Sequence, residues 1–379
     1  MEFGFTEEQQ MIRQQAAECL KHECPTGLVR QLMESEHGYS HELWQTMVEM
    51  GWTGLIIPEA YGGVGLSFVE LAIVLEEMGR ALVPGSFFST VVLAGQVLLA
   101  ATNDQQKQCW LVPLASGKLR ATVAATESNG RWDAGGITVR AEHQNGQFLI
   151  NGTKLFVPDA HIADLIICVA RTGSMEGVEQ GITLFAVNRH APGLTVTPLK
   201  TLDQTRRLYE VSFEQVQVPA HYVLGEVGQG WTIWERVFDK ATIGLCAEMV
   251  GGAQAALDMA VNYSKSRIQF GRPIGSFQSL QHRCADMLLL TESARSAVYA
   301  AAWVASQDAN DLSLQASIAK SYTNDAYRYV TGECIQIHGG MGFTWEHDAH
   351  LYLKRAKADE VTFGDAAFHR ERIAKLIGL

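Results

Sequence analysis

Residues 137–157, ITVRAEHQNGQFLINGTKLFV, show the partial alternation of apolar and polar side chains that is typical of β-strands. Two dipeptides in this stretch, Asn145-Gly146 and Asn151-Gly152, are strong signals for two-residue hairpin turns. Further strand-like runs follow, with no helical pattern between them, at 163–172, 181–189, 194–199 and 208–219. We therefore expect the middle of the chain to form a β-barrel or sandwich.

Helical patterns flank this β region on both sides. Thr6 precedes two acidic residues and is a suitable N-cap for a first helix, and apolar residues recur at helical spacing from Phe68 onward. Long helices are also predicted over 277–307 and 313–338, followed by a shorter one at 368–376. Long consecutive helices usually pack as an antiparallel bundle.

The order of these patterns predicts a multidomain α+β fold with three parts. They are an N-terminal helical domain (residues 1–118), a middle β-barrel or sandwich domain (119–227) and a C-terminal four-helix bundle (228–379).

Composition excludes several classes of protein. The chain has 379 residues, 47% of them hydrophobic, so it is expected to bury a large core rather than to remain disordered. Its most apolar stretch falls short of the roughly 20 residues that cross a bilayer. The formal net charge of −11, with no basic block, argues against nucleic-acid binding. The acidic N-terminal stretch lacks the features of a signal or transit peptide, so a cytoplasmic protein is expected.

The seven cysteines do not suggest a disulfide framework or a metal site. Their number is odd and most of them lie far apart in sequence. Cys19, His22 and Cys24 are close together, but no second pair of ligands follows at zinc-like spacing. We expect reduced, structural cysteines and no metal.

Five segments, in order along the chain, resemble the acyl-CoA dehydrogenase superfamily of flavoproteins. They are GLIIPEAYGGVGLS (54–67), ATESNGRWDAGGI (125–137), NGTKLFVPDAHIADLIICVAR (151–171), YSKSRIQFGRPIGSFQSLQHRCADM (263–287) and IQIHGGMGFTWEHDAHLYLKRAKA (335–358). The resemblance spans nearly the whole chain, and the last two segments are the most specific. It implies the fold of that superfamily, a homotetramer or dimer of dimers, and FAD held between the middle domain and the helical bundle.

The C-terminal segments supply one set of FAD ligands by resemblance. Arg267 lies where an arginine of the family contacts the pyrophosphate of a neighbouring subunit's FAD. Gln269, Phe270 and Gln278 are expected to extend that contact. Three further residues match the turn that cradles the ADP half of FAD, namely Gln336, Gly339 and Gly340.

By the same resemblance, the middle domain supplies a second set of FAD ligands. Ala125, Thr126 and Ser128 match the segment that flanks the flavin ring and the acyl thioester. Phe156 and Val157 match an element beside the isoalloxazine ring, in which Pro158 replaces the usual threonine. The hydroxyl that usually bonds near flavin N5 is therefore missing from this chain.

The resemblance also shows which catalytic group is missing. Dehydrogenation of an acyl thioester removes the weakly acidic C2 proton while a hydride leaves C3 for flavin N5, so a desolvated carboxylate is needed as base. Gly364 falls where most of the family carries that glutamate, and Ala241 falls where other members carry it. Asp365 is one residue beyond the first of these positions.

Asp365 has two main interpretations. It can serve as the base, or it can cap the helix predicted to follow it. Glu248 and Glu360 are weaker candidates for the base, and His369 could pair with Asp365 from the same helical face.

The leading functional prediction is an FAD-dependent acyl-CoA dehydrogenase that passes electrons to an electron-transfer flavoprotein. One alternative is a subunit that lacks the catalytic glutamate in an α2β2 heterotetramer, as in sterol-degrading relatives. Another is a nitroalkane-oxidase-like enzyme that uses aspartate as base. Small residues at Ala241, Gly244 and Gly364 suggest space for a bulky or ring-bearing acyl group.

Overall fold

The computed structural model describes residues 4–101, 103–173, 178–307 and 309–379, so the first three residues of the predicted N-terminal domain lie outside it. The N-terminal part is helical, as predicted. Thr6 caps the first helix by accepting a hydrogen bond from the backbone N–H of Gln9, whose side chain accepts one in return from the N–H of Thr6. The helices are α1 (Glu7–Glu23), α2 (Thr26–Glu34), α3 (His41–Glu49), α4 (Phe68–Arg80), a π-helix (Phe88–Ala94), α5 (Gly95–Ala101) and α6 (Asp104–Ala115).

The middle of the described chain forms one eight-stranded sheet. Its strands are β1 (Ala121–Ala124), β2 (Arg140–Gln144), β3 (Gln147–Pro158), β4 (Leu165–Arg171), β5 (Ile182–Asn188), β6 (Leu194–Pro198), β7 (Leu208–Pro219) and β8 (Val223–Leu224). Their order is β6-β7-β3-β2-β4-β5-β8, and β1 pairs with β4 in parallel. Every residue of β4 is buried, because the strand is covered on both faces.

Only one of the two predicted hairpins exists. Asn145-Gly146 joins β2 to β3, with φ angles of +51° and +81° that suit a two-residue turn. The prediction for Asn151-Gly152 is wrong, since both residues lie inside β3. The register against β7 shifts there, Gly152 has φ of +134°, and the side chain of Asn151 accepts a hydrogen bond from the backbone N–H of Gln215 (2.8 Å). The dipeptide therefore forms a bulge.

The C-terminal part is again helical. The predicted helices at 277–307 and 313–338 are confirmed to within one residue, whereas the last helix begins two residues earlier than predicted. The elements are α7 (Gly230–Ser266), β9 (Ile268–Gln269), β10 (Arg272–Pro273), α8 (Gln278–Gln307), α9 (Leu312–His338), α10 (Ala349–Val361) and α11 (Ala366–Leu376).

The chain divides into two compact units. The helical unit contains the residues up to Met33, Ser67–Val83 and Thr242–Leu379, and the sheet unit contains Glu34–Leu66 and Pro84–Ala241. The division between Ala241 and Thr242 falls within α7. The three predicted domain boundaries stay a prediction.

Close packing of α4 against α7 organises the helical unit. A β-carbon added at Gly79 would lie 1.9 Å from the carbonyl oxygen of Glu248, and one at Gly251 would lie 1.7 Å from that of Glu76. Only glycine permits such an approach of two helix backbones. Along α4, the buried carboxylate of Glu76 accepts hydrogen bonds from Arg13 (2.9 Å), Arg295 (3.0 Å) and Tyr299 (2.7 Å). These bonds connect α1 and α8 to α4.

Candidate functional site

In the sheet unit, the segment that follows β1 lies against the C-terminal half of β3. The backbone N–H of Leu155 donates to the carbonyl oxygen of Thr126 (2.8 Å). Ala125 is buried, Thr126 is half-buried and Ser128 is exposed. Within the described residues, neither the backbone N–H nor the hydroxyl of Thr126 has a hydrogen-bond partner, so both can donate to a ligand.

Beneath this segment lies a buried ion pair that sequence reasoning missed. The ammonium group of Lys154 donates to the carboxylate of Glu127 (2.7 Å) and to the carbonyl oxygen of Ala125 (3.0 Å). Glu127 also accepts hydrogen bonds from the backbone N–H groups of Thr138 (2.9 and 3.0 Å) and Val139 (3.0 Å) and from the Thr138 hydroxyl. Lys154 and Glu127 are 0% and 4% exposed at their side chains.

Burial and the neighbouring charges have opposite effects on the pKa of each residue of this pair. Burial lowers the pKa of Lys154, although the neighbouring Cys168 and Glu127 act to raise it. Burial acts to raise the pKa of Glu127, but its pKa is lowered overall because Lys154 and the hydrogen bonds favour the carboxylate. A buried pair is tolerated here because its polar atoms are well supplied with partners.

Phe156 is the aromatic residue that the resemblance places beside a flavin ring. It is 52% exposed and has φ of +55°, a backbone conformation that is uncommon for a bulky side chain. The register of β3 against β7 shifts between Lys154 and Val157, and this irregularity turns Phe156 outward. Val157 itself is buried and pairs with Tyr209 of β7.

In the helical unit, Phe270 forms part of a tight turn. Phe270 and Gly271 have φ of +53° and +76° and connect β9 to β10, where Gln269 pairs with Arg272. Phe270 is 90% exposed. Arg267 is also exposed and, among the described residues, its guanidinium forms no ion pair. An aromatic ring and a cation on an exposed turn suit a ligand that carries both a ring system and phosphates.

The end of α9 is the second feature of the helical unit. Gln336 is exposed in the last turn, and Gly339 ends the helix with φ of +59° and ψ of −135°. A β-carbon added at Gly339 or at Gly340 would meet no atom within 4 Å. The backbone at this turn is therefore open to close approach by a ligand. Gln278, which the resemblance adds to the Arg267 contact, is the first residue of α8.

Comparisons with known proteins match the chain along its whole length. Family models for the acyl-CoA dehydrogenase N-terminal, middle and C-terminal domains match residues 6–118, 122–216 and 228–378. A probable acyl-CoA dehydrogenase, YngJ of Bacillus subtilis (strain 168), is 33% identical over 379 residues, with 99% of each chain covered. The chain belongs to the acyl-CoA dehydrogenase family.

Solved structures of this family have the same fold. Butyryl-CoA dehydrogenase from Megasphaera elsdenii matches with a TM-score of 0.92 and 30% identity over 100% of both chains. A chain of the ChsE4-ChsE5 complex from Mycobacterium tuberculosis matches with a TM-score of 0.90 and 26% identity, again over 100% of both chains. The predicted α+β fold class is thereby confirmed, as is the family resemblance.

Acyl-CoA dehydrogenases are FAD-dependent oxidoreductases, which confirms the predicted enzyme class and cofactor. The residues of this chain fit a flavin. Thr126 presents free donors beside the exposed ring of Phe156, and the Gly339-Gly340 turn leaves its backbone open. The individual assignments of FAD ligands stay predictions.

The two positions where the resemblance places the catalytic base, 241 and 364, hold alanine and glycine, so neither carries a carboxylate. Ala241 is fully buried in the sheet unit. Gly364, in the helical unit, is buried and has φ of +95°, and a β-carbon added there would lie 2.4 Å from Cδ1 of Phe368. The space that we expected beside Gly364 for a bulky acyl group is therefore occupied by the Phe368 ring.

Asp365 is the N-cap of α11. Its Oδ1 atom accepts a hydrogen bond from the backbone N–H of Phe368 (2.8 Å), and the residue is exposed. The pairing with His369 that we considered is not formed as a hydrogen bond among the described contacts. His369 is instead buried and its Nε2 donates to the carbonyl oxygen of Phe363 (2.8 Å), while burial lowers its pKa to about 3. The geometry of Asp365 is that of a helix cap rather than of a desolvated base.

Among the described residues, no helix is both long and apolar enough to span a bilayer. No group of three or more histidine, cysteine, aspartate or glutamate side chains in the described ranges could hold a metal ion.

Proposed function

We propose that this chain is a subunit of an acyl-CoA dehydrogenase whose catalytic base comes from a different chain. The reaction of the assembly is α,β-dehydrogenation of an acyl-CoA thioester. The observation that carries the proposal is the position of the Phe368 ring beside Gly364, because any side chain at position 364 would collide with that ring unless the ring moved. Ala241 removes the alternative position.

This chain supplies groups that can bind FAD, but it lacks a carboxylate at the two positions proposed for the base. Bound FAD supplies the hydride acceptor. The free donors of Thr126 and the exposed ring of Phe156 hold and orient the isoalloxazine ring, and Arg267 neutralises phosphate charge. The C2 proton of the thioester still requires a desolvated carboxylate, and neither Gly364 nor Ala241 can provide one.

A solved complex of two different chains supports the proposal that the cofactor site and the catalytic base come from different chains. The ChsE4-ChsE5 structure is a complex of two different chains of this family. We therefore propose an α2β2 arrangement with a glutamate-bearing chain, and electron transfer from the assembly to an electron-transfer flavoprotein. A ring-bearing acyl group remains our proposal for the substrate, resting on Ala241 and Gly244 alone. The cytoplasmic location stays a prediction.

Asp365 carries the second candidate function, a self-sufficient enzyme in which this carboxylate is the base. The cap uses Oδ1, and Lys320 and His369 lie close enough to Asp365 to interact electrostatically with it. A base of this kind would also suit oxidation of a nitroalkane, which has a more acidic carbon than a thioester.

An anaerobic titration distinguishes these functions. The purified protein, loaded with FAD, is titrated with ring-bearing and straight-chain acyl-CoAs and with a nitroalkane while the flavin absorbance is recorded. We expect no bleaching by the chain alone and bleaching after a glutamate-bearing family member encoded beside it is added. Bleaching by the chain alone that disappears in Asp365→Asn would contradict the proposal and establish Asp365 as the base.

A further inference from the structure

The buried Glu127–Lys154 pair has no part in the chemistry described above, yet it touches the segment assigned to the flavin ring. Lys154 donates to the carbonyl oxygen of Ala125, and the next peptide carbonyl, that of Thr126, accepts from the N–H of Leu155. Both carbonyl groups of this short segment are therefore fixed by β3. The contact with Ala125 comes from a charged side chain rather than from the backbone.

The direction of this contact determines where the neighbouring N–H points. The chain has no cis peptide bond among its described residues, so the carbonyl of Ala125 and the N–H of Thr126 point in opposite directions across one planar peptide unit. Because the carbonyl faces Lys154, the N–H of Thr126 faces away from the buried pair. Thr126 is half-buried, and this N–H has no partner among the described residues.

The charge of Lys154 also acts on the strength of that donor. A cation at 3.0 Å from the Ala125 carbonyl draws electron density toward its oxygen and makes the N–H at the other end of the peptide a better donor. Glu127 holds the ammonium group in place. Its carboxylate is in turn fixed by the backbone N–H groups of Thr138 and Val139.

We propose that Glu127 and Lys154 are positioning residues that hold the Ala125–Thr126 peptide so that the N–H of Thr126 donates to the isoalloxazine ring of FAD. The inference rests on the assignment of Thr126 to the flavin, and it is independent of which chain provides the base. Both residues act on the cofactor through a peptide group and contact no reacting atom.

The test compares FAD binding in variants that preserve or remove the pair. Lys154→Met leaves Glu127 buried without its cation, so the double variant Glu127→Gln/Lys154→Met is the main variant, since it removes both charges together. Ile150→Ala is the matched control. Ile150 is a fully buried residue of β3, and its apolar side chain cannot form a hydrogen bond with the Ala125–Thr126 peptide. Each protein is stripped of FAD and titrated with it, and its thermal unfolding is recorded.

We expect the double variant to bind FAD about tenfold or more weakly, since a hydrogen bond supported by a charge is lost. The visible absorption bands of its bound flavin should shift, whereas Ile150→Ala should lower the melting temperature with unchanged bands and affinity. FAD affinity within twofold of wild type in a folded double variant would overturn the inference. So would an equal loss in Ile150→Ala, or a wild-type chain that binds no FAD, whereas the acyl-CoA titration decides the proposed function separately.

Discussion

The β-carbon that Gly364 lacks would lie 2.4 Å from Cδ1 of Phe368. Phe368 is four residues further along the chain, in the first turn of α11, and its ring fills the space into which a side chain at position 364 would project. The backbone of Gly364 also has φ of +95°, which strains any other residue. Sterics and backbone conformation therefore both disfavour a glutamate at this position, because the Phe368 ring would have to shift and the backbone would be strained.

Restoring the family's glutamate should fail unless Phe368 is also changed. We expect Gly364→Glu to lower the free energy of unfolding by about 1–3 kcal/mol and to leave the flavin unbleached by acyl-CoA. Gly364→Glu/Phe368→Ala should recover part of the stability, because the clash is removed while the positive φ remains. Chemical denaturation and anaerobic titration measure both effects, with Phe368→Ala as control. A single variant as stable as wild type would refute this account of the position.

The two interpretations of Asp365 are separated by a pair of variants. Asparagine caps a helix as well as aspartate does, so Asp365→Asn should leave stability nearly unchanged. Asp365→Ala should cost about 1 kcal/mol, because the N–H of Phe368 loses its acceptor. With the glutamate-bearing chain present, neither variant should change the rate of flavin bleaching. A loss of bleaching in Asp365→Asn alone would show that the carboxylate is needed for chemistry.

His369 should make the protein sensitive to acid. Burial lowers the pKa of His369 to about 3, whereas an unfolded histidine titrates near 6.5. Between these values the unfolded chain binds more protons, so stability is fully present above about pH 6.5 and is lost as the pH falls toward 3, by about 1.4 kcal/mol for each pH unit.

Urea unfolding of His369→Gln across this pH range measures that contribution. The glutamine amide can still donate to the carbonyl of Phe363 but does not titrate, so the variant should lose less stability on acidification than wild type does. His22→Gln, at an exposed position of α1, is the control and should retain the wild-type slope. Equal slopes for wild type and His369→Gln would contradict the prediction.

Phe156 should affect the fold and the cofactor in different ways. Phe156→Gly relieves the positive φ and removes a half-exposed ring, so we expect the free energy of unfolding to change by no more than about 1 kcal/mol. FAD affinity should fall about fivefold or more, since a ring contact is lost. Gln215→Gly is a matched control with φ of +53° on β7. If both variants bind FAD equally well, Phe156 does not contact the ring.

A glycine just after α9 and a glycine inside α9 allow a test of the proposed FAD contact at the Gly339-Gly340 turn. Gly340→Ala adds a methyl group to open space, so it should leave stability unchanged while it weakens FAD binding. Gly332 lies inside α9 with no atom within 4 Å of an added β-carbon, and Gly332→Ala should stabilise the helix by about 0.5–1 kcal/mol with unchanged FAD affinity. Melting curves and FAD titration measure both. FAD affinity unaltered in Gly340→Ala would remove this turn from the cofactor site.

Local sequence patterns predicted most of the fold, and they failed where the local conformation depends on residues far away in the sequence. Asn145-Gly146 and Asn151-Gly152 carry the same turn signal, yet only the first forms a turn. At the second, β3 continues because it pairs with β7, and the side chain of Asn151 bonds to the backbone of Gln215 far along the chain. No pattern within a short window contains that information.

The candidate site shows the same limit. The position of Asp365 before a predicted helix made an N-cap one of its two interpretations, and the cap is observed, because capping depends on residues only three positions apart. The Glu127–Lys154 pair was missed because charged residues are usually exposed, and only the fold brings these two together in the core. Room beside Gly364 was wrongly expected, since residue size alone does not reveal that Phe368 turns back over it.

The helical unit is assembled from the beginning and the end of the chain, and this has a consequence for biosynthesis. Arg13 and Glu76 emerge from the ribosome early, whereas Arg295, the other arginine that bonds to Glu76, lies in a segment made much later. At translation rates of about 5–20 residues per second, Thr242–Leu379 follows the completion of the sheet unit by roughly 7–30 s. During that interval α4 lacks the packing against α7 and α8 that later buries it, so the nascent chain should be a client of a chaperone until those helices have been made.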